Sequence, residues 1–388
     1  MKMSFKKTAV ALVAGVGLLA GSAGVASADG AGGQAGTGWD GVNQILVGQG
    51  SDTTYLMMQG VTNVYNAAPG CETDNASGSA TLGQCILPPG QSRTDVKGNW
   101  DHDVTTEMFP TGSGAGIKAL QLGQVDFARS SRGPKTSGES DLNFFAYAKD
   151  GLAMITMAGR SAANLTKSQI QGIYNCTITD WSTLGFPAGT IAPYGMNTSS
   201  GTYASMVTFL GFDPNAGACV KKLGNGDLPF ENDVKQIAGP GALAADVANA
   251  PNAFWWGSYA ELKTYAYKAQ TAEFWSVDGV AISNGTIANN TYGAKRFVYH
   301  VAKKVDATPT LAGTGTGTGD MGGTVSGKGG GVREFTEFIC KPKVDHTTSL
   351  NTGNSNYDDL TSVIVNSGFQ RTPSAERTNG ACRVEAGP

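Results

Sequence analysis

The sequence predicts an α/β protein of two domains, on three observations. Short β-prone apolar runs alternate with runs whose apolar residues recur at helical spacing, the pattern of strands and helices packed in layers. Residues 29–388 exceed the ~250–300 residues over which a single hydrophobic core grows. Three turns rich in small residues, Gly50-Ser51-Asp52-Thr53, Pro110-Thr111-Gly112-Ser113-Gly114-Ala115-Gly116 and Ser199-Ser200-Gly201-Thr202, each lead into a helical run. The first N–H groups of a helix lack intrahelical acceptors and its dipole is positive there, so such a turn suits an anion. Three of them suggest loops that converge on one small anionic ligand.

The chain begins with an expected secretory signal over residues 1–28. Lys2, Lys6 and Lys7 precede an apolar run from Thr8 to Leu19, and Ala26-Ser27-Ala28 has the small-residue cleavage pattern. The run is shorter than a membrane span, and no other run is apolar enough to span. No Cys follows at the usual lipid-anchor place. The Gly-rich stretch from Asp29 to Trp39 reads as a flexible tail, extending to residue 43.

Ile45-Leu46-Val47 reads as a buried strand, followed by a helix capped by Ser51 or Asp52. Met57, Val61, Val64 and Tyr65 share one face of that helix. Residues 71–100 read as a polar excursion. A β-prone run from Val104 to Phe109 enters the second turn, and a helical run from Ile117 to Leu122 leaves it. Val125-Asp126-Phe127-Ala128 reads as a strand ending in Arg129-Ser130-Ser131-Arg132. Two arginines at a strand end are either a solvated turn or a guanidinium facing an oxyanion, whose geometry an Arg fork matches.

Phe144 to Ala158 reads as an extended crossover into a second domain. Thr166-Lys167-Ser168-Gln169 carries a capping-box pattern, with Ile170, Ile173 and Tyr174 behind it. Tyr203, Met206, Val207 and Leu210 give the apolar face of the helix after the third turn. Phe254-Trp255-Trp256 belongs to an aromatic cluster that serves packing or, alternatively, stacks a ring on a ligand. Phe297 to Val301 reads as the return crossover. The Gly/Thr-rich stretch over residues 308–331 has too few large apolar residues to bury a core. Helical runs follow from Val332 to Ile339 and from Asp358 to Val365.

Composition narrows the chemistry. The formal charge of −3 becomes −6 once Lys2, Lys6 and Lys7 are removed, which argues against nucleic acid as the main partner. Six cysteines in an exported chain favour disulfides, and the pairing expected is sequential: Cys71–Cys85, Cys176–Cys219 and Cys340–Cys382. No Cys-x-x-Cys occurs, and His102, His300 and His346 are far apart, so no metal is expected. Gly116-Ile117-Lys118 interrupts a phosphate-loop pattern, Ile117 breaks the dinucleotide fingerprint, and Thr111 replaces the first glycine of a hydrolase elbow. The expectation is a protein that binds without catalysis and without a cofactor.

The order of Gly50-Ser51-Asp52-Thr53, Gly112 to Lys118, Asp126 to Ser130, Leu165-Thr166 with Ile170, Ile173-Tyr174 and Asp180-Trp181, and Ser200-Gly201-Thr202 resembles the phosphate-binding proteins of ABC importers. The resemblance covers residues 44–260 well and the C-terminal third loosely. It implies a periplasmic-binding-protein-like clamp with two hinge crossovers. Residues 44–150 and 281–388 would form one domain and 151–280 the other. It also implies a secreted monomer that binds phosphate or a similar oxyanion in the cleft for an importer permease.

Carried over, the family's ligand contacts fall on Ser51, Asp52, Thr53, Ser113, Gly114, Ser131, Arg132, Ser200, Gly201 and Thr202. Two positions depart from the family pattern. Ser131 stands where the family often has an Asp, and Met196 stands at the place of the family's cleft Arg. Arg129 or Arg132 would then supply the missing charge. Asp52 would either accept a proton of the ligand or cap the helix. Rival readings are the same clamp holding another small polar solute, as a sensor or adhesion module, and a secreted hydrolase.

Overall fold

The computed structural model describes residues 44–67, 72–73, 85–86, 102–105, 111–156, 160–231, 252–264, 273–304, 332, 335–336, 339–340, 356–378 and 382–388. The expected signal, tail and Gly/Thr-rich stretch lie outside the described residues, as does Cys71 of the first expected disulfide.

The described residues centre on one mixed sheet, and a single long strand is shared by its two halves. Strand β1 (Gln44–Gly50) is followed by helix α1 (Tyr55–Ala67), the short antiparallel pair β2 (Glu72–Thr73) and β3 (Cys85–Ile86), and β4 (His102–Thr105). Helix α2 (Ser113–Gln121) and β5 (Phe127–Ser130) come next. The strand β1 lies parallel to both β4 and β5. Then comes β6 (Leu142–Thr156), fifteen residues long and buried throughout. Residues 142–151 of β6 pair with β11 (Lys295–Lys303). Its last residues, from Leu152 to Thr156, pair instead with β9 (Ala253–Ser258), and β10 (Glu273–Val277) joins them from Met154 onward. The change of partners at Gly151 and Leu152 divides the sheet into two halves. Both runs expected as crossovers are strands, β6 and β11, and of the two only β6 pairs in both halves.

In the first half, the two-residue alternation of β6 sends side chains to both faces. Phe145 and Tyr147 meet α1 through Met57, Met58 and Val61, and α7 (Asn356–Asn366) through Leu360 and Ile364. Phe144 and Ala146 meet Ile117 and Leu120 of α2 on the other face. Strands β12 (Gln370–Arg371) and β13 (Arg383–Ala386) return to β6 near the end of the chain.

In the second half, β7 (Asn164–Leu165), α3 (Lys167–Tyr174), β8 (Ala192–Pro193) and α4 (Gly201–Leu210) precede β9. Helices α5 (Tyr259–Thr264) and α6 (Asn284–Ala288) follow it. The capping box at Thr166 and Gln169 forms with both hydrogen bonds in place. Trp181, Trp255, Trp256 and Trp275 are buried together in this half. Trp181 stacks on Trp275 at 5.3 Å between ring centroids. The aromatic cluster around Phe254-Trp255-Trp256 is thus packing, with Trp255 Nε1 donating to the Gly195 carbonyl. Cys176–Cys219 and Cys340–Cys382 are bonded as expected, with Cα–Cα distances of 5.7 and 4.9 Å.

Among the boundaries that differ from the sequence reading, two frame the turns. Helix α2 starts at Ser113 instead of Ile117, because small residues let its first turn lie against β1: a Cβ on Gly116 would overlap Gly50 and Gln49. Strand β5 starts at Phe127 and runs on to Ser130, since Asp126 uses its carboxylate to accept from the Val47 N–H and begins no ladder.

Candidate functional site

The three turns converge. Thr111 and Gly112 donate backbone N–H groups to the Gly50 carbonyl, which ties the second turn to the first. The Gly114 N–H donates to the Ser199 carbonyl at 3.1 Å, tying the second turn to the third across the two halves of the sheet. Ser200 caps α4, its hydroxyl accepting from the Thr202 N–H at 3.1 Å.

The hydroxyls of these turns meet in one buried cluster. Ser131 Oγ, just beyond β5, accepts from Ser51 Oγ at 3.0 Å and lies 3.4 Å from both Thr53 Oγ1 and Ser113 Oγ. The Ser131 N–H donates to Ser113 Oγ. Thr53 Oγ1 is 3.0 Å from Thr202 Oγ1. Gly201 packs so closely that a Cβ there would overlap the hydroxyls of Ser113 and Ser131. Ser51, Thr53, Ser113, Ser131 and Thr202 are each fully buried. Of the ten residues expected at the site, these five supply hydroxyls to the cluster. Gly114 and Gly201 supply close backbone approach, and Ser200 works as the cap.

The charged groups differ from the sequence reading. Arg132 is turned to Glu139, with Nη2 donating at 2.6 Å and Nη1 at 3.1 Å, so it is engaged away from the hydroxyl cluster. Arg129 donates to the Gly48 carbonyl and lies over the Tyr55 ring, where burial lowers its pKa to about 10. The guanidinium at the cluster belongs to Arg296 on β11. Its Nη1 donates to Thr202 Oγ1 at 2.7 Å and contacts the Ser131 carbonyl at 3.4 Å. Its Nε and Nη2 both donate to Asp150 Oδ2, at 3.1 and 2.8 Å. Met196, where the resemblance put a cleft Arg, is fully buried in the core of the second half. Its backbone is held by Asn215 at both the N–H and the carbonyl.

Carboxyl groups crowd the same place. Glu231 accepts from the Thr53 hydroxyl and from the Ser258 N–H, and lies 3.7 Å from Arg296 Nη2. Burial first, and then Asp52, push its pKa up to about 7. Asp52 is buried with no side chain bonded to its carboxyl among the described residues, and burial raises its pKa against the lowering effect of the backbone N–H groups of Asp52, Thr53 and Glu231. Glu261, also buried, is raised well above the ordinary carboxyl range by desolvation. Among the described residues no group of His, Cys, Asp or Glu could hold a metal ion. His300 is a packing residue, buried against Phe127 and bonded to Thr336.

Helix N-termini, clustered hydroxyls and one guanidinium form a donor set with the chemistry of an oxyanion site. A family model described as the PBP superfamily domain matches residues 99–340. The chain belongs to the PBP superfamily. Its fold is phosphate-binding-protein-like. A solved protein from Clostridium perfringens, assigned as a phosphate ABC transporter substrate-binding protein and holding bound phosphate, matches 84% of this chain and 99% of its own. That match has 18% identity and a TM-score of 0.54. An ABC-type phosphate transport receptor from Vibrio cholerae matches 68% of this chain and 88% of its own, with 21% identity and a TM-score of 0.45. No curated protein matches the chain. No described helix is long and apolar enough to cross a membrane.

Arg296, Asp150 and Glu231 were not among the residues expected from sequence. The signal available for two of them was charge inside the crossover runs. Asp150 and Arg296 interrupt long buried strands, and they are direct partners in the β6–β11 ladder.

Proposed function

We propose that this chain is a secreted, monomeric solute-binding protein that holds phosphate or a similar oxyanion between two lobes, residues 44–150 with 281–388 and residues 151–280. It would present the ion to the permease of an ABC importer, and it performs no chemistry on it. The supporting observation is that hydroxyls from three helix-entering turns meet Arg296 at one buried point spanning both halves of the sheet. Donors fixed before binding favour an acceptor-rich ion, because a buried donor left unpaired is costly. The hydroxyls bond one another, and the ion would take their place as the acceptor between the lobes.

One observation favours a second reading. Asp52 has two buried carboxyl oxygens that no side chain among the described residues bonds, and these suit a ligand that carries a donor of its own. Protonated phosphate meets that condition, and so does a different small polar solute.

Isothermal calorimetry with phosphate, arsenate and sulfate separates these readings. Saturable heat with at least one of them, weakened in Ser113→Ala, is the expected result. No heat with any of the three at millimolar concentration refutes the oxyanion reading.

A further inference from the structure

Glu231 already occupies donors that an oxyanion would need. One carboxyl oxygen accepts from the Thr53 hydroxyl, the other from the Ser258 N–H at 2.7 Å, and Arg296 Nη2 is 3.7 Å away. The hydrogen bonds have a fixed direction. Arg296 can only donate and an ionised Glu231 can only accept, so Thr202 Oγ1 accepts from Arg296, and Thr53, whose one hydrogen goes to Glu231, accepts from Thr202. The chain of donors that starts at the guanidinium therefore ends on a carboxylate of the protein itself.

The surroundings leave no room for a second negative charge. Asp52 faces Glu231 from the first turn and Glu261 from α5, Asp150 on β6 lies against Arg296, and Arg296 on β11 is the cation that faces Glu231. That cation is already bonded twice to Asp150.

On the reading of the site as an oxyanion site, we propose that Glu231 is an internal stand-in for the ligand, and that the anion binds together with one proton, which Glu231 takes from solvent. The ionised carboxylate bridges Thr53 and Ser258 and so holds the site closed. Once protonated, it releases the Thr53 hydroxyl to the anion and becomes a donor itself. The Ser258 N–H keeps the carboxyl in place, so the group changes its role without leaving the site. Its pKa near 7 makes that proton available close to neutral pH.

The test is calorimetry of the purified chain with phosphate, in buffers of different ionisation enthalpy, from pH 6 to pH 9, on wild type and on Glu231→Gln. Phosphate's own ionisation affects both proteins equally and cancels in the comparison. Wild type is expected to take up as much as one proton more than Glu231→Gln. Above neutrality its affinity should fall by up to tenfold per pH unit relative to the variant, the slope that linkage to one proton requires. At pH 8 the variant should bind at least tenfold more tightly.

Equal proton counts with parallel pH profiles would overturn the proposal while leaving the oxyanion site standing. Absence of heat with phosphate, arsenate and sulfate in wild type would remove the site reading itself. Should Glu231→Gln fail to fold, the infrared difference spectrum of wild type on adding phosphate decides the matter. A new protonated-carboxyl band that shifts in heavy water is expected, and its absence refutes the proposal.

Discussion

Arg296 Nη1 lies 2.7 Å from Thr202 Oγ1, joining β11 in the first half of the sheet to the first turn of α4 in the second. The same guanidinium is held from behind by Asp150, its partner in the β6–β11 ladder. One side chain thus joins the paired strands β6 and β11 and supplies the cation of the hydroxyl cluster. Asp150 is itself held by the Ala260 N–H at the start of α5.

Two substitutions at Arg296 separate these roles. Arg296→Lys keeps a charge near Asp150 but cannot reach Asp150 and Thr202 together with a rigid fork. Phosphate affinity is expected to fall about 10- to 100-fold, the equivalent of one charge-assisted hydrogen bond of roughly 1.5–3 kcal/mol, while the protein stays folded. Arg296→Met leaves Asp150 buried without its cation, and breaking a buried pair costs about 3–5 kcal/mol. Urea unfolding of both variants, read beside calorimetry, checks the two expectations.

The sequence made the donors legible and the cation illegible, for a physical reason. Turns that enter helices are local: Ser51, Thr53, Ser113 and Thr202 lie within a few residues of the glycines and caps that create the turns. A partner across a ladder is not local. Asp150 and Arg296 are separated by 146 positions, and only the pairing of β6 with β11 brings them together. Arg132 misled because a guanidinium at a strand end looks free until Glu139, seven residues on, is seen to hold it. The crossovers were readable as apolar β-prone runs, whereas the switch of partners within β6 depends on strands far along the chain.

Gly201→Ala tests closure. A methyl group at this position would overlap the hydroxyls of Ser113 and Ser131, while the first turn of α4 itself tolerates Ala. The halves should fold but fail to close. Far-UV circular dichroism is expected to match wild type, and phosphate affinity to drop at least tenfold. Small-angle scattering should show no compaction on adding phosphate. Wild-type affinity in this variant would mean that the hydroxyl cluster is not where the ion binds.

The ligand-free protein should lose stability as pH rises from 5 to 8. Glu231, Asp52 and Glu261 have pKa values raised by burial above those of the unfolded chain. Over this range the unfolded state has released its carboxyl protons and the folded state still holds some. The folded state therefore binds more protons, and stability falls with pH. For Glu231 the fall runs from the ordinary carboxyl range up to about 7. Thermal melts at pH 5 and pH 8 are expected to differ by several degrees, and the difference should narrow in Glu231→Gln. A melting temperature that rises steadily from pH 5 to pH 8 would contradict the burial of these groups as acids.

Met196→Arg tests whether the cleft charge has moved or has merely been lost. If the site lacked a cation, restoring the family residue would tighten binding. Met196, however, is fully buried in the core of the second half, among residues such as Ile173, Tyr174 and Met206, with its backbone tied to Asn215. An arginine there would either be buried without a carboxylate or force the Asn215 loop away. Burying an unpaired charge is among the few changes that cost more than about 4 kcal/mol. Met196→Arg is therefore expected to lower the urea midpoint sharply, with no gain in phosphate affinity in whatever fraction remains folded. A stable, tighter-binding Met196→Arg protein would show that residue 196 faces the ligand after all, and that Arg296 is structural alone.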